Sequence, residues 1–560
     1  MSTPIGDDPR LAAILAADAA LTAPGAPFEI VEEDVLGERM PVFRDRFRSM
    51  RDLLRHAAST YGDRDAYVFS DGRRYTFASF EQEVRRVAAG LRDRYGIGPG
   101  SRVAACAANC PEWLLTWWAC GSLDAVLVAM NGWWTGPEMR TALDLTEPAL
   151  FVADEKRLAR LDGSAGMPTV VVERDWSGVP AADASDAVDV EIAEDDPFML
   201  IFTSGTTGRP KAAVLSHRSV VSYLMCQGYV AARGAHLAGI RSAATVPPTR
   251  LATYPLFHVS GVSAAGGSVL SGAKTVWPLG RFDAGAVIEL TKREGIAVWG
   301  GGLTHVVRLL EHPDVGTVDA QQIVSVGVGG SATPPAVIDA VEATFPHLTG
   351  TMSSGYGSTE TGLISLASNW MLRAAPETVG PPLPTVAVRI TDELGNEVPE
   401  GVDGHVEARS WQGMIGYWRN PEADAETIRP GRWIRTGDFG RLEDGVLFIV
   451  TRLRDLIIRG GENVYPFEIE HRLDEHPDVV EVAVLGVDSP TYGQEVKAVV
   501  VVRPGSTVDA DELRAFCAER LASYKVPAVV ELRTEPLPRT ASGKVVKHVL
   551  AGAENTFVEE

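Results

Sequence analysis

Apolar residues along this chain recur in two rhythms that alternate for most of its length. Arg85 to Tyr95 carries them at helical spacing and stops at Gly96 and Gly98, which predicts an amphipathic helix. Val103 to Ala107 is a short unbroken apolar run, read as a buried strand. The pair repeats as a helix over Glu112–Ser122 and a strand over Ala125–Met130. Strands at Ala149–Val152 and Thr169–Val172 follow, with a helical stretch between them. Phe198 to Thr203 runs into a glycine-rich loop at 204–211. Val298–Gly300, Ile323–Val326 and Thr351–Ser353 each end at glycine or small residues. This alternation predicts an α/β fold of mainly parallel sheets flanked by helices. Such sheets bind ligands at the carboxyl ends of their strands, so several glycine-rich strand ends point to one shared site.

The rhythm changes after about residue 380. Thr385–Ile390, Gly404–Ala408 and Val446–Val450 read as short antiparallel strands, parted by turns such as Pro399-Glu400-Gly401. They predict a small β-barrel-like subdomain. From Arg454 a compact α+β piece begins: a helix at Pro466–Asp474, strands at Val480–Val487 and Val496–Val502, a helix at Ala510–Ser523 and a strand near Val529–Arg533. The expected division is a large N-terminal domain, 1–453, and a small C-terminal one, 454–560. No internal repeat is visible.

Composition narrows the functions. With 45% hydrophobic and 22% charged residues, the 560-residue chain has the profile of an ordinary globular protein. Lys and Arg number 52 against 74 Asp and Glu, a net charge of −22 without a basic run, which argues against a nucleic-acid partner. Five cysteines, none at CxxC spacing, argue against a disulfide framework or zinc site and suit a cytoplasmic protein. The stretch Trp113–Trp134 is the most apolar, but Gly121 and Asp124 break it, so a buried helix and strand are expected rather than a membrane span. The acidic start MSTPIGDDPR does not read as a signal peptide, nor Phe557-Val558-Glu559-Glu560 as a peroxisomal signal.

Residues 203–211 read TSGTTGRPK. Glycines let backbone N–H groups approach phosphate oxygens, hydroxyls add donors, and Lys211 adds charge. The spacing is not a Walker A loop. Asp438-Phe439-Gly440 matches the kinase DFG triplet, but no HRD loop lies upstream. Gly327 to Ala332 resembles GxGxxG/A but lacks the later acidic residue of a nicotinamide site. No GxSxG elbow is present.

Four further motifs complete the set: GYGSTE at 355–360, TGD at 436–438, RLRDLIIRGGEN at 452–463 and PRTASGK at 538–544. Together with TSGTTGRPK, over about residues 50–550, they resemble the ANL superfamily of adenylate-forming enzymes in its acyl-CoA synthetase branch. The resemblance implies a mobile C-terminal domain, with ATP, Mg²⁺ and coenzyme A as cofactors and a carboxylic acid as substrate. Thr203, Ser204, Gly205, Thr206, Thr207, Gly208 and Lys211 would hold the β and γ phosphates. Tyr356 would stack on adenine, with Gly330, Ser331 and Ala332 on its other side and Ser354, Gly355, Gly357 and Ser358 around it. Thr359 would contact the α-phosphate, Glu360 would hold Mg²⁺, and Asp438 with Arg452 would take the ribose. Lys544 would be catalytic in adenylation. Arg454 would be the hinge, and Gly460 and Gly461 would border the pantetheine tunnel. His258 would stand between the acyl pocket and the adenylate, and Phe257-His258 offers no aspartate for an amino acid's amine. The pocket is expected along His258, Val259, Gly261, Trp299, Gly300, Gly301 and Gly302. Three missing side chains there suggest a bulky, even polycyclic, acid.

One departure stands out. Ala212 occupies the place where the family usually has glycine. If the backbone there were left-handed, alanine would cost about 1 kcal/mol or more and shift the phosphate loop. That keeps open an enzyme impaired in adenylation that thioesterifies a preformed acyl-adenylate. A third reading is a non-catalytic nucleotide-binding protein on the same fold, which intact Lys544, Glu360 and Asp438 disfavour. The oligomeric state, homodimer included, and the pathway, secondary metabolism included, stay open.

Overall fold

The computed structural model describes residues 5–182, 190–203, 211–240, 246–329, 335–452, 455–459, 462–489, 491–540 and 544–552. Two sheets carry the alternating part of the chain. In the seven-stranded one, the parallel strands Val126–Ala129, Arg102–Cys106, Leu150–Ala153 and Thr169–Val171 continue from Pro197–Thr203. Lys211–Ser216 and then Gly416–Tyr417 add to its other edge, both antiparallel. The six-stranded sheet runs Ser325–Gly329, Ile296–Gly302, Thr249–Leu251, Thr275–Trp277, Asp65–Phe69 and Arg74–Thr76, parallel except at the last pair.

Local chemistry sets the helix ends. Phe77–Tyr95 starts at a reciprocal Thr76/Ser79 cap and stops where Gly96 turns left-handed at φ 66°. Pro111–Leu123 has proline in its first turn and is buried on every face. Its Trp113, Trp117 and Trp118 belong to the same apolar core as Phe198 and Ile201. The broken apolar stretch is thus a buried helix followed by a buried strand. Among the described residues no helix is long and apolar enough to cross a membrane.

Thr351–Ser353 does not begin another parallel strand. The chain forms an antiparallel hairpin, Ser353–Ser358 with Gly362–Ser368, because glycines permit contacts that side chains would block. A Cβ on Gly357 would lie 2.0 Å from the Gly362 carbonyl oxygen. The short antiparallel strands are present: Thr378–Gly380, Val446–Arg452, Trp433–Glu443, Gly404–Ser410 and Val386–Thr391 form one sheet in that order.

The C-terminal part builds its own sheet around Val479–Ser489 and Gly493–Val502, with Val529–Arg533 parallel to the latter. The helix Pro466–Asp474 is present as expected. The helix from Ala510 ends at Ala518 rather than Ser523. The chain turns there, and Leu521 and Tyr524 pack against the C-terminal core.

Candidate active site

The strand Pro197–Thr203 and the strand Lys211–Ser216 pair so that Thr203 faces Lys211 across the ladder. The two strands therefore close a loop whose residues Ser204, Gly205, Thr206, Thr207 and Gly208 lie outside the described residues. Lys211 is largely buried, with its Nζ 5.3 Å from the centre of the Tyr417 ring. Its nearest carboxylate, that of the exposed Glu426, is 3.7 Å away.

Ala212 sits inside the strand, opposite Phe202, in extended backbone rather than the left-handed region. Its methyl joins the core with Leu200 and Val214, and its carbonyl accepts from the Trp418 N–H at 2.8 Å. The condition for strain is not met, and the motive for an impaired first step goes with it.

The hairpin tip places Thr359, buried, and Glu360, half-buried, next to that edge. The Met414 N–H donates to the Glu360 carbonyl at 2.9 Å, fixing the tip to the chain that leads into Gly416–Tyr417. The Tyr417 hydroxyl donates to Glu360 Oε1 at 3.0 Å. Burial first, and the Glu360 charge second, push the Tyr417 phenol pKa up, so it stays protonated and a donor. Tyr417 was not singled out from the sequence. Its signal is non-local: it pairs with Ala213, two residues from Lys211.

On the other side of the tip, the Tyr356 hydroxyl donates to Asp438 Oδ2 at 2.6 Å. Asp438 is buried on the long strand Trp433–Glu443, opposite Arg452 in the ladder. Ser354, Gly355, Gly357 and Ser358 lie on the Tyr356 strand. The other proposed adenine wall, Gly330, Ser331 and Ala332, lies outside the described residues. So do Arg454, Gly460 and Gly461.

Lys544 comes to the site from the C-terminal part. The Thr540 N–H donates to the Lys544 carbonyl at 2.8 Å. His258 caps the helix Val259–Ser271, with Nδ1 3.4 Å from the Ser260 N–H that donates to it. Burial first, and the positive charge of Lys544 second, lower the His258 pKa to about 4. The imidazole is neutral near pH 7, and Lys544 lies within electrostatic reach of it.

The glycine-rich strand end requires a correction. Trp299 is not a pocket residue: it is fully buried, its indole N–H donates to Thr291 Oγ1 at 3.1 Å, and Phe345 packs edge-on against it. A Cβ on Gly301 would stand 2.6 Å from Thr253 Oγ1, and one on Gly300 3.4 Å from the Leu251 carbonyl oxygen. Gly301 admits a close neighbour instead of opening volume, whereas a Cβ at Gly300 would make only ordinary contacts. Gly302 caps the next helix, Leu303–Leu310. Gly261 is likewise a close-approach residue, since a Cβ there would meet the Pro255 carbonyl at 2.1 Å. Val259 is half-buried against the large core.

A carboxylate at a hairpin tip, a buried aspartate held by a phenol, and a lysine of the C-terminal part within electrostatic reach of His258 are the groups this structure offers. Comparison with known proteins defines the class. The model of the AMP-binding enzyme family matches residues 54–418, and that of the AMP-binding enzyme C-terminal domain matches 468–544. The chain belongs to this adenylate-forming family, in its acyl-CoA ligase branch. It is 34% identical over 481 residues to a feruloyl-CoA synthase of an Amycolatopsis species, covering 85% of this chain and 93% of that one. It is 32% identical over 528 residues to a Rhodococcus jostii (strain RHA1) ligase, 3-[(3aS,4S,7aS)-7a-methyl-1,5-dioxo-octahydro-1H-inden-4-yl]propanoyl:CoA ligase, covering 89% and 97%. ATP-bound MatB from Rhodopseudomonas palustris superposes with a TM-score of 0.79 at 28% identity, over 90% of this chain and 98% of that chain. The particular activity is that of an acid–CoA ligase, with ATP and CoA as co-substrates.

Proposed function

We propose that this ligase activates a hydrophobic, ring-bearing carboxylic acid through an acyl-adenylate and passes the acyl group to CoA. The observation that carries the reading is the placement of Lys544 within electrostatic reach of His258. The acid's carboxylate, ionised near pH 7, attacks the α-phosphorus of ATP and pyrophosphate leaves. Lys544 neutralises charge as it builds on the carboxylate and phosphate, help typically worth about 10²–10³-fold. Thr203, Lys211 and the loop between them bind the outer phosphates. Tyr356 offers a flat face to adenine, and Asp438 accepts from the ribose hydroxyls. Thr359 approaches the α-phosphate.

Among the described residues no three His, Cys, Asp or Glu side chains gather as a metal cage. Mg²⁺ fits nevertheless, because it usually takes one or two carboxylates plus phosphate oxygens. Glu360 would hold it through the oxygen that Tyr417 does not occupy. The ion would neutralise phosphate charge.

In the second step the CoA thiol attacks the acyl carbonyl, a C–S bond forms, and AMP leaves. We take the chain as two domains that rotate about Arg454, with Gly460 and Gly461 bordering the thiol's path. The names of the feruloyl and indane-propanoyl relatives support a ring-bearing acid. Five free cysteines, four of them buried, suit a reducing cytoplasm.

The test is a panel of acids with acyl-AMP and acyl-CoA measured separately by mass spectrometry. Lys544→Ala should abolish acyl-AMP formation from free acid and spare CoA transfer to a supplied adenylate. Equal loss of both steps would remove Lys544 from the assigned role.

A further inference from the structure

Beyond His258, the helices His217–Leu237 and Val259–Ser271 run side by side, joined by a polar contact that no step above uses. Ser263 Oγ donates to Gln227 Oε1 at 2.8 Å. Tyr223 lies four residues before Gln227, on the same helix face, and its hydroxyl meets both partners. Tyr254 faces Tyr223, with its hydroxyl beside the Gly301 backbone N–H. The Tyr254 ring lies 3.7 Å from the point where a Gly300 Cβ would stand. Deeper along the pair the helices close: a Cβ on Gly266 would be 2.5 Å from Leu224 Cδ1.

Two facts mark this group as crowded by protein yet open to a ligand. Tyr223, Gln227, Tyr254, His258 and Ser263 all retain accessible surface. Yet burial pushes the Tyr223 and Tyr254 phenols up and His258 down, as for groups deep inside a protein. The polar Ser263–Gln227 contact therefore stands where a small ligand passing His258 can reach it. The neighbours acting on the two phenols are neutral: Ser263, Gln227, Cys226, the Gly301 amide and, for Tyr254, Tyr223 itself. Ser263 follows His258 by five residues, about 7–8 Å along a helix.

We propose that Tyr223, Gln227 and Ser263 select acids that carry a neutral hydrogen-bonding oxygen, a hydroxyl or a ring ketone, at the end remote from the carboxylate. The inference rests on the ligase reading above and names the substrate class of that site. Polar groups facing a bare hydrocarbon ring lose water without replacement, which penalises the unsubstituted acid. Ser263 and Gln227 partly satisfy each other, so the expected preference is about 10- to 100-fold, below the limit for a fully dedicated polar site.

The test uses matched acids on the full chain: para-hydroxyphenylpropanoate against phenylpropanoate, and a ketocyclohexylpropanoate against cyclohexylpropanoate. Acid-dependent pyrophosphate release gives kcat/KM for each. Wild type should prefer the oxygenated member of at least one pair by about tenfold or more. Gln227→Leu and Ser263→Ala should collapse that ratio to within about threefold, with thermal midpoints confirming that the variants fold. Faster use of the unsubstituted acids, faster use of a dicarboxylate than of either member, or a ratio unchanged in both variants overturns the proposal. Absence of pyrophosphate release with every acid overturns the ligase reading itself, a result distinct from lost preference among acids that react.

Discussion

The Tyr356 hydroxyl and Asp438 Oδ2 stand 2.6 Å apart, although the residues are 82 positions apart in the chain and lie in different sheets. The bond fixes the aspartate carboxylate against the edge of the ring assigned to adenine. Tyr356→Phe keeps the ring and removes this hydrogen bond to the carboxylate. A hydrogen bond to a charged group is worth about 1.5–3 kcal/mol, so KM for ATP should rise roughly 10- to 100-fold, and kcat should change less. ATP titration of pyrophosphate release checks this. An unchanged KM would mean that the bond is not kept in the nucleotide complex.

Glu360 and Tyr417 form the corresponding pair on the phosphate side. Removing the hydroxyl by Tyr417→Phe leaves the ring beneath Lys211 but releases Glu360 Oε1. The Mg²⁺ concentration for half-maximal adenylation should rise about fivefold, since one neutral-donor bond is worth about 1 kcal/mol. Glu360→Gln should cost more, about 10²-fold in adenylation rate. A Mg²⁺ titration of both variants separates the two effects. Identical Mg²⁺ curves for wild type and Tyr417→Phe would sink the positioning role.

Two half-buried histidines give the protein an acid-sensitive stability. His258 and His305 are each held down at about 4 from 6.5, by burial first and then by Lys544 and Arg308 respectively. The unfolded chain takes up these protons below about pH 6.5 and the folded chain does not. Stability is therefore full above that pH and falls as pH drops from 6.5 towards 4, by up to about 3 kcal/mol per histidine. His305 stacks on Phe282 at 4.2 Å and contacts Thr253 Oγ1 at 3.0 Å. His305→Asn should be less stable at pH 7 and show a shallower acid slope in urea titrations at several pH values. The same slope in the variant would exclude His305 as a source.

Ala212→Gly should not speed adenylation. The strand backbone gains nothing from glycine and loses a buried methyl, so the variant should be destabilised by about 1 kcal/mol or slightly more. Pyrophosphate release and a denaturation curve test both halves. A faster glycine variant would restore the reading of an adenylation-impaired enzyme.

Much of this protein was legible before any coordinates. The helix read at Arg85–Tyr95, the one read at Glu112–Ser122, the strand between them and the C-terminal helix Pro466–Asp474 follow from spacing that a dozen neighbouring residues carry by themselves, although the first helix starts earlier, at Phe77. The motifs are equally local. GYGSTE places a carboxylate and a phenol on one hairpin, and PRTASGK carries Lys544, whatever else the chain does.

What only the tertiary structure decided are pairings between residues distant in sequence. Gly301 reads as empty space until Thr253 turns out to fill it, and Trp299 reads as a pocket residue until Thr291 and Phe345 enclose it. Ala212 reads as strain until the ladder to Phe202 shows extended backbone. Tyr417 gains its role because antiparallel pairing with Ala213 sets it beside Lys211 and Glu360. The sequence alone determined the elements, the chemical groups and the adenylate-forming class, because each depends on near neighbours in the chain. The register of paired strands and the contacts between helices determined which side chains face the cavity, because a one-residue shift in either would turn a wall residue into a core residue.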